Sequence, residues 1–401
     1  MVVVIWPEDR FDHICASAGP DAALARLEQL VTLAKRSTGK MRIEAQDAVR
    51  RMARSLPPID EDGWNTVERG HRLTRLLATL NRFGDADLLL ETAEPRLLEF
   101  YDGSQTEPLL DSISVLGEKR AAGLLAAIAR ERGPSLPAPI LALWTLLAKH
   151  ESSSASRLLL ARVLEAVLDA LARHTPPVRP AWSGRRRYGQ FDPDEFDDPV
   201  AAQPLSPATL NAFLKTLHAS PCTAKMPDAI RVIIGNSALF TPEKILLPAL
   251  EETELRAEDA PAALWAHCAW HYLQRSEHPP EPPRDWAQKC TLAGTSPLLR
   301  ELEAFARDPR AQVHRFRVRK ELRQEIHRAI DGAGLDMTHV TERSGSPQTL
   351  VCTKTRASHE RACKQYRNDL SDMRRLLALP HARAKGNIQL ARRLRGATAA
   401  H

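Results

Sequence analysis

Residues 311–379 decide the fold of the C-terminal part of this chain, and they read AQVHRFRVRKELRQEIHRAIDGAGLDMTHVTERSGSPQTLVCTKTRASHERACKQYRNDLSDMRRLLAL. Leu322, Ile326 and Ile330 recur at four-residue steps, a spacing typical of one face of a helix. Gly332 and Gly334 follow at the position where such a helix ends. The pattern therefore predicts a helix over residues 319–330.

A β-hairpin is predicted next, because two runs rich in β-branched residues, 337–343 and 348–354, flank the turn sequence SGSP. A second helix is predicted from about Arg356, since apolar residues return there with a spacing of three to four residues along one face. The sequence thus predicts a small α-β-β-α module within residues 311–401.

The positive charge of the chain lies in this module. The net charge of the whole chain is +6, yet residues 311–401 hold 19 Lys and Arg against 8 Asp and Glu. Clustered cations are the electrostatic signature of a polyanion partner. The candidate anion- or nucleic-acid-binding residues are Arg315, Arg317, Arg319, Lys320, Arg323, Lys354, Arg356, Arg361 and Lys364.

The alternative interpretation of these cations is a solvated, arginine-rich surface, with Arg315 and Arg317 alternating along an edge strand. Aromatic residues are sparse among the cations, with Phe316 and Tyr366 as the examples, so base stacking is not indicated. The sequence therefore predicts a protein partner, and nucleic acid bound through residues 311–401 is the alternative.

Three segments of the module, HRFRVRKELRQEIHRAI, DMTHVTERSGSPQTLVCTKTRAS and CKQYRNDLSDMRRL, resemble the C-terminal part of large, uncharacterised bacterial and fungal proteins described as 2-oxoglutarate/Fe(II) oxygenases. A weaker resemblance lies at residues 82–109, RFGDADLLLETAEPRLLEFYDGSQTEPL. In that family both regions lie outside the oxygenase domain. The resemblance implies a region accessory to an oxygenase and names no reaction for this chain.

Residues 21–174 are a succession of Leu-, Ala- and Arg-rich segments of helix length, separated by Gly, Pro, Asn and Asp. Helices without strands to cover must bury their apolar stripes against other helices, and stacked helical hairpins meet that need. The spacing of successive pairs resembles that of HEAT or armadillo arrays, although no consensus repeats. A solenoid-like array and an irregular helical bundle are the two alternatives, and the fold class is mainly α.

Composition predicts the domain boundaries. The N-terminal helical array covers residues 1–174, and a Pro-rich linker with an acidic run follows at 175–207. A second helical block is predicted at 208–277, then a connector at 278–310 that begins with HPPEPP, and the basic module at 311–401. The array, the second block and the module are the three candidate folded parts.

The six cysteines lie far apart and include no CxxC pair, so reduced thiols are expected. The start, MVVVIWPEDR, lacks the basic segment of a signal peptide, and the longest nearly apolar run, residues 139–148, is too short to span a membrane. A cytoplasmic location without membrane association is the expectation.

Oxygenase chemistry requires a His-X-Asp/Glu motif and a distal His to hold Fe(II), and none of the fourteen histidines is followed two residues later by Asp or Glu. His267 and His271 share a helix face and are weak zinc candidates, with Cys290 as a further ligand. Packed, hydrogen-bonded histidines are the alternative. No cofactor is predicted.

His339 and Cys352 fall on the two predicted strands and are a candidate pair for nucleophilic catalysis, which would also need a cleft and a third group. No catalytic motif supports an enzyme. The sequence predicts a non-catalytic helical interaction or scaffold region. The alternatives are a nucleic-acid-binding protein that acts through the basic module and a metalloprotein centred on His267 and His271.

Overall fold

The structure is a computed structural model that describes residues 19–57, 66–150, 157–175, 204–253, 255, 260–292 and 296–399. The chain divides into two compact units, Met1–Cys268 with Arg383–Gly386 and Ala269–Ala382 with Asn387–His401. We call them unit 1 and unit 2. Residues 176–203, most of the predicted Pro-rich linker, lie outside the described residues. The other predicted boundaries stay predictions.

Unit 1 is built from α-helices. In chain order they are α1 (Pro20–Arg36), α2 (Gly39–Arg54), α3 (Thr66–Phe83), α4 (Ala86–Phe100), α5 (Thr106–Leu116), α6 (Glu118–Arg132), α7 (Pro137–Lys149), α8 (Arg157–Arg173), α9 (Pro207–Ala219), α10 (Met226–Gly235) and α11 (Leu247–Glu252), the last preceded by a π-helical turn at Pro242–Leu246. Helix α12 (Ala260–Ser276) begins in unit 1 and ends in unit 2.

Local sequence sets the ends of several of these helices. Asp85 starts α4, where its carboxylate accepts a hydrogen bond from the Leu88 N–H at 3.1 Å. Ser206 starts α9 in the same way, accepting from the Thr209 N–H, and proline occupies the first helical position there. Gly84 separates α3 from α4 with a φ of 84°, a conformation that favours glycine.

The helices of unit 1 stack in two layers. Helices pack against a neighbour in sequence, as α1 does against α2 and α3 against α4, and many also pack against the helix two places along the chain. The second kind of contact links α1 with α3, α3 with α5, α2 with α4, α4 with α6, α6 with α8, α7 with α9 and α8 with α10. This alternation is the packing of stacked helical hairpins. The mainly α fold with stacked hairpins is confirmed, and membership of a named repeat class stays a prediction.

Large side chains fill the space between the layers where α7, α8 and α9 meet. Trp144 is fully buried, and its indole N–H donates to the Leu160 carbonyl oxygen at 3.2 Å. Its ring packs edge-on against Phe213, with 5.4 Å between the ring centroids. The helices on the two sides of the predicted linker, α7 and α9, therefore share one core.

Unit 2 combines helices with a small sheet. Its elements after α12 are α13 (Pro297–Arg307), β1 (Val313–Arg317), α14 (Lys320–Gly332), β2 (Met337–Glu342), β3 (Thr349–Lys354), α15 (Ala357–Ala378) and α16 (Ile388–Ala399). The strands form a three-stranded antiparallel sheet in the order β1-β3-β2. Among the described helices of both units, none is long and apolar enough to cross a membrane.

The predicted α-β-β-α module is extended by one strand. The hairpin and both helices lie within a few residues of their predicted bounds, but the module starts with β1 and is β-α-β-β-α. Strand β1 forms because it pairs along its whole length with β3, from Val313 opposite Thr353 to Arg317 opposite Thr349. That partner lies more than thirty residues downstream, so no local signal marks the strand apart from its alternation.

One face of the sheet is buried beneath α13 and α14. The core between the sheet and these helices consists of Leu292, Leu302, Phe305, Ala306, Phe316, Ile326, Ile330, Met337, Leu350 and Cys352. The apolar steps at Ile326 and Ile330 on α14 are those that predicted the helix, and both side chains reach this core.

A buried carboxylate joins α12 to α15 within unit 2. Asp369 of α15 is fully buried, and both of its oxygens accept hydrogen bonds from the Arg275 guanidinium at 2.7 and 2.6 Å. The Ser276 hydroxyl and the Gln365 side-chain amide also donate to it. A buried charge with a bidentate arginine and two further donors is well satisfied, and such a network fixes one arrangement of the two helices.

We expect Asp369→Asn to lower the free energy of unfolding by about 3 kcal/mol, because it leaves Arg275 without its bidentate partner. Urea denaturation with hydrogen exchange in α15 as the local readout measures the change. Glu360→Gln, an exposed substitution on the same helix, is the control and should shift stability by less than about 0.5 kcal/mol. Equal stability of the two variants would contradict a supporting role for the network.

Candidate functional site

The alternation of the three strands divides their side chains between the core and an opposite surface. Three rows across the sheet carry the outward side chains: Val313, Thr353 and Thr338; Arg315, Val351 and Val340; Arg317, Thr349 and Glu342. We call these nine residues the outer sheet face. Side chains directly opposite on neighbouring strands share a face, so each row is a set of spatial neighbours.

The outer sheet face is open and of mixed character. Val340 is 63% exposed and Val313 49% exposed, both high values for β-branched residues within strands. Arg315 lies on β1 and reaches across β3 to Glu342 of β2, with 2.7 Å between its Nη1 and the carboxylate Oε2. Valine and threonine side chains of the face therefore lie beside an arginine held in place by a carboxylate.

Four cations lie at one end of this face, one of them within it and three beyond it. Arg317 ends β1, Arg319 is the N-cap residue of α14, Lys320 begins that helix, and Arg343 follows β2. All four are exposed, and the part of the chain that the structure describes gives none of them an ion pair. We call this group the basic end. Arg343 was missed as a candidate, although it follows the end of β2 that lies across β3 from Arg317, at the same end of the sheet.

Two of the predicted anion-binding residues are structural, which corrects the sequence prediction. Lys354 is 1% exposed, and its Nζ donates to the Asp308 carbonyl oxygen at 2.6 Å and lies 4.7 Å from the centre of the Phe305 ring. Burial lowers the pKa of Lys354. Arg323 donates to the carbonyl oxygens of Val318 and Gln348. Alternation along β3 turns Lys354 inward, so neither group is free for a polyanion.

The remaining candidates lie at the start of α15. Arg356 stacks over the indole of Trp286, with 4.8 Å between the guanidinium carbon and the ring centre. Arg361 is exposed and approaches Asp336 at 3.4 Å, while Lys364 is exposed without an ion pair among the described residues. Trp286, Asp336 and Arg356 also line a cleft of about 550 Å³. Its charges of both signs do not favour an anion.

The structure gives the metal hypothesis no ligand set. Within the described ranges, no group of three or more His, Cys, Asp or Glu side chains is arranged to hold a metal ion. His271 packs edge-on against Tyr272, with 5.5 Å between ring centroids. Cys290 packs against the sheet core, and burial raises the pKa of its thiol. His267 lies on the same helix as His271.

The two members of the candidate Cys–His pair are in register, with His339 of β2 directly opposite Cys352 of β3. Cys352 is fully buried, and burial raises the pKa of its thiol to about 11. A nucleophilic cysteine requires the thiolate, so this arrangement is that of a core thiol. His339 meets His327 of α14 instead, with 4.3 Å between the ring centroids.

A second Cys–His contact was missed. On α15 the Cys363 sulfur lies 3.4 Å from Nε2 of His359, one helical turn before it. The signal was present in the sequence, because residues four apart on a helix are neighbours. His359 also lines the cleft beside Trp286.

Comparisons with protein-family models, with curated proteins and with solved structures find no match for this chain. The resemblance to the C-terminal regions of oxygenases therefore stays a prediction.

Replacing Lys354 by alanine should lower the free energy of unfolding by about 2 kcal/mol, because the hydrogen bond to Asp308 and the contact with Phe305 are lost. Lys364→Ala removes the same charge from an exposed position of unit 2 and should change stability by less than about 0.5 kcal/mol. Chemical denaturation of both variants is the measurement. If the Lys354→Ala protein is as stable as the wild type, Lys354 is not structural and is again a candidate for anion binding.

The pair His327 and His339 should make unit 2 sensitive to acid. Burial lowers the pKa of His327, and the neighbouring His339 and Arg323 act in the same direction, while Asp331 opposes them. The unfolded chain therefore takes up a proton first as the pH falls below about 6.5, so stability present at neutral pH is lost on acidification. His327→Gln should reduce this loss, measured as urea stability against pH.

His278→Gln is the control for the acid sensitivity, because His278 is exposed and lies outside the sheet core. It should reproduce the wild-type dependence on pH. Parallel curves for the wild type and His327→Gln would show that the histidine pair has no part in it.

Proposed function

We propose that this chain is a non-catalytic interaction region whose outer sheet face binds an acidic segment of a protein partner. The observation that carries the proposal is a sheet covered by helices on one side and open on the other, where exposed valines share the face with Arg315. Interfaces combine an apolar centre with a polar rim and are enriched in arginine, and this face has that composition.

Charge determines the class of partner. The outer sheet face carries Arg315 and Arg317 against Glu342, and the basic end adds three cations outside the face. A partner with carboxylates beside aliphatic or β-branched residues complements both the arginines and the valines. The stacked helices of unit 1 are consistent with a scaffold, because helical arrays of this kind offer extended binding surfaces.

A second candidate function is polyanion binding, favoured by the four cations of the basic end that have no ion pair among the described residues. Such a site makes few phosphate contacts, and aromatic side chains for base stacking are absent from the outer sheet face. With four contacts on duplex DNA the log-log salt slope would be about −3.6. We rank this candidate second for that reason.

The proposed partner class includes the oxygenase domain suggested by the sequence resemblance. The support for that choice is the resemblance of residues 311–379 and 82–109. A cytoplasmic location is likewise a proposal from the sequence. Neither is needed for the outer sheet face to bind an acidic segment.

Selection of peptides from a displayed library on the full chain tests the proposal. We expect acidic, β-branched peptides to be enriched, and Arg315→Glu with Arg317→Glu to weaken their binding at least about tenfold by reversing the charge of the face. Arg374→Glu with Arg392→Glu changes two exposed arginines of α15 and α16 and should leave affinity within about twofold. Equal binding by both double variants would contradict the proposal.

Fluorescence anisotropy of the wild-type chain and two triple alanine variants with a labelled DNA duplex at physiological salt decides the second candidate. The proposal expects no micromolar binding. Micromolar binding that is lost in Arg317→Ala, Arg319→Ala, Lys320→Ala, but kept in Arg374→Ala, Arg392→Ala, Arg395→Ala, would move the function to the basic end.

A further inference from the structure

Strand β2 is an edge of the sheet. The strand order β1-β3-β2 gives it one hydrogen-bonded neighbour, β3, among the described strands. An edge strand presents a row of backbone N–H and C=O groups that can pair with another strand. Natural proteins usually protect such an edge with charges, prolines or bulges.

The two edges of this sheet differ in their protection. Strand β1 reads VHRFR and carries two arginines within five residues. Strand β2 reads MTHVTE, with neither Lys, Arg nor Pro in its length, and its terminal Glu342 is held by Arg315. Thr338, Val340 and Thr341 are β-branched, a type that suits strands. The edge at β2 is therefore open to pairing, whereas the edge at β1 is charged.

We propose that β2 pairs antiparallel with β2 of a second copy of this chain, with Val340 opposite its own counterpart. The two sheets would then form one six-stranded sheet. The pairing uses the backbone edge of β2, whereas the function proposed above uses the side chains of the outer sheet face. The proposal therefore does not rest on that function, although Thr338, Val340 and Glu342 belong to both surfaces.

Symmetry and charge select this register. Residues opposite each other in an antiparallel pair point to the same face, so a twofold axis through the pair must place one residue opposite itself. Near the middle of β2 that residue is His339 or Val340. An axis at His339 sets Glu342 opposite Asp336 of the second copy, a like-charge pair that disfavours association.

An axis at Val340 avoids every like-charge pair. Thr338 then lies opposite Glu342, His339 opposite Thr341, and Met337 opposite Arg343. The two Val340 side chains, 63% exposed in one copy, become a β-branched cross-strand pair. Because the axis is perpendicular to the sheet, the helices of both copies lie on the same side and their outer sheet faces become continuous.

Sedimentation velocity of the full chain at micromolar to sub-millimolar concentrations tests the pairing. The edge of six residues is short beside a standard protein interface, so we expect dissociation in the micromolar range. Val340→Lys places two lysines opposite each other and should give a monomer, and Val340→Glu should do the same with two carboxylates. Circular dichroism checks that both exposed substitutions leave the fold intact.

A mixture of the Val340→Lys and Val340→Glu proteins is the decisive sample. It should form a heterodimer, because the lysine of one copy then faces the carboxylate of the other. Val313, 49% exposed, lies on β1 at the other edge of the sheet. The Val313→Lys protein carries the same added charge there and should dimerise like the wild type. A monomeric wild type at all concentrations, loss of dimer in Val313→Lys, or a mixture that stays monomeric would each overturn the proposal.

Discussion

Unit 2 depends on the burial of one face of its three-stranded sheet beneath α13 and α14. This core contains Phe316 of β1 and both Leu350 and Cys352 of β3, which pack with Ile326 and Ile330 of α14. Since side chains alternate along a strand, fixing these residues inward fixes their neighbours outward. The outer sheet face exists for that reason, and a shift of one residue in register would bury Arg315 and expose Phe316.

The same alternation separates the cations of the basic module by role. Lys354 is two residues beyond Cys352 on β3 and is drawn into the core side, where a carbonyl oxygen and an aromatic ring replace water around its ammonium group. Arg315 and Arg317 point the other way and remain exposed. The positive charge available on the surface of the module is therefore smaller than the count of Lys and Arg in its sequence, and this supports the proposal of a protein partner.

Helix α15 links this sheet to the rest of unit 2. Asp336 follows α14 and accepts a hydrogen bond from the Ser358 N–H at the start of α15, while Asp369 near its middle holds Arg275 of α12. One carboxylate thus positions the N-terminus of the helix and another its body. Asp336 forms an ion pair with Arg361, and Asp369 forms one with Arg275. Composition alone would count both arginines as free charge.

Hydrophobic periodicity and turn residues act locally, so the sequence predicts the mainly α class, the stacked helical hairpins, and the bounds of α14, β2, β3 and α15 to within a few residues. Features that depend on partners distant in the sequence are set by packing and strand pairing. Strand β1 exists through its pairing with β3, and the inward direction of Lys354 follows from which face the helices cover. The Cys352–His339 register could be predicted, but the burial that raises the pKa of the thiol could not, since burial is a property of packing.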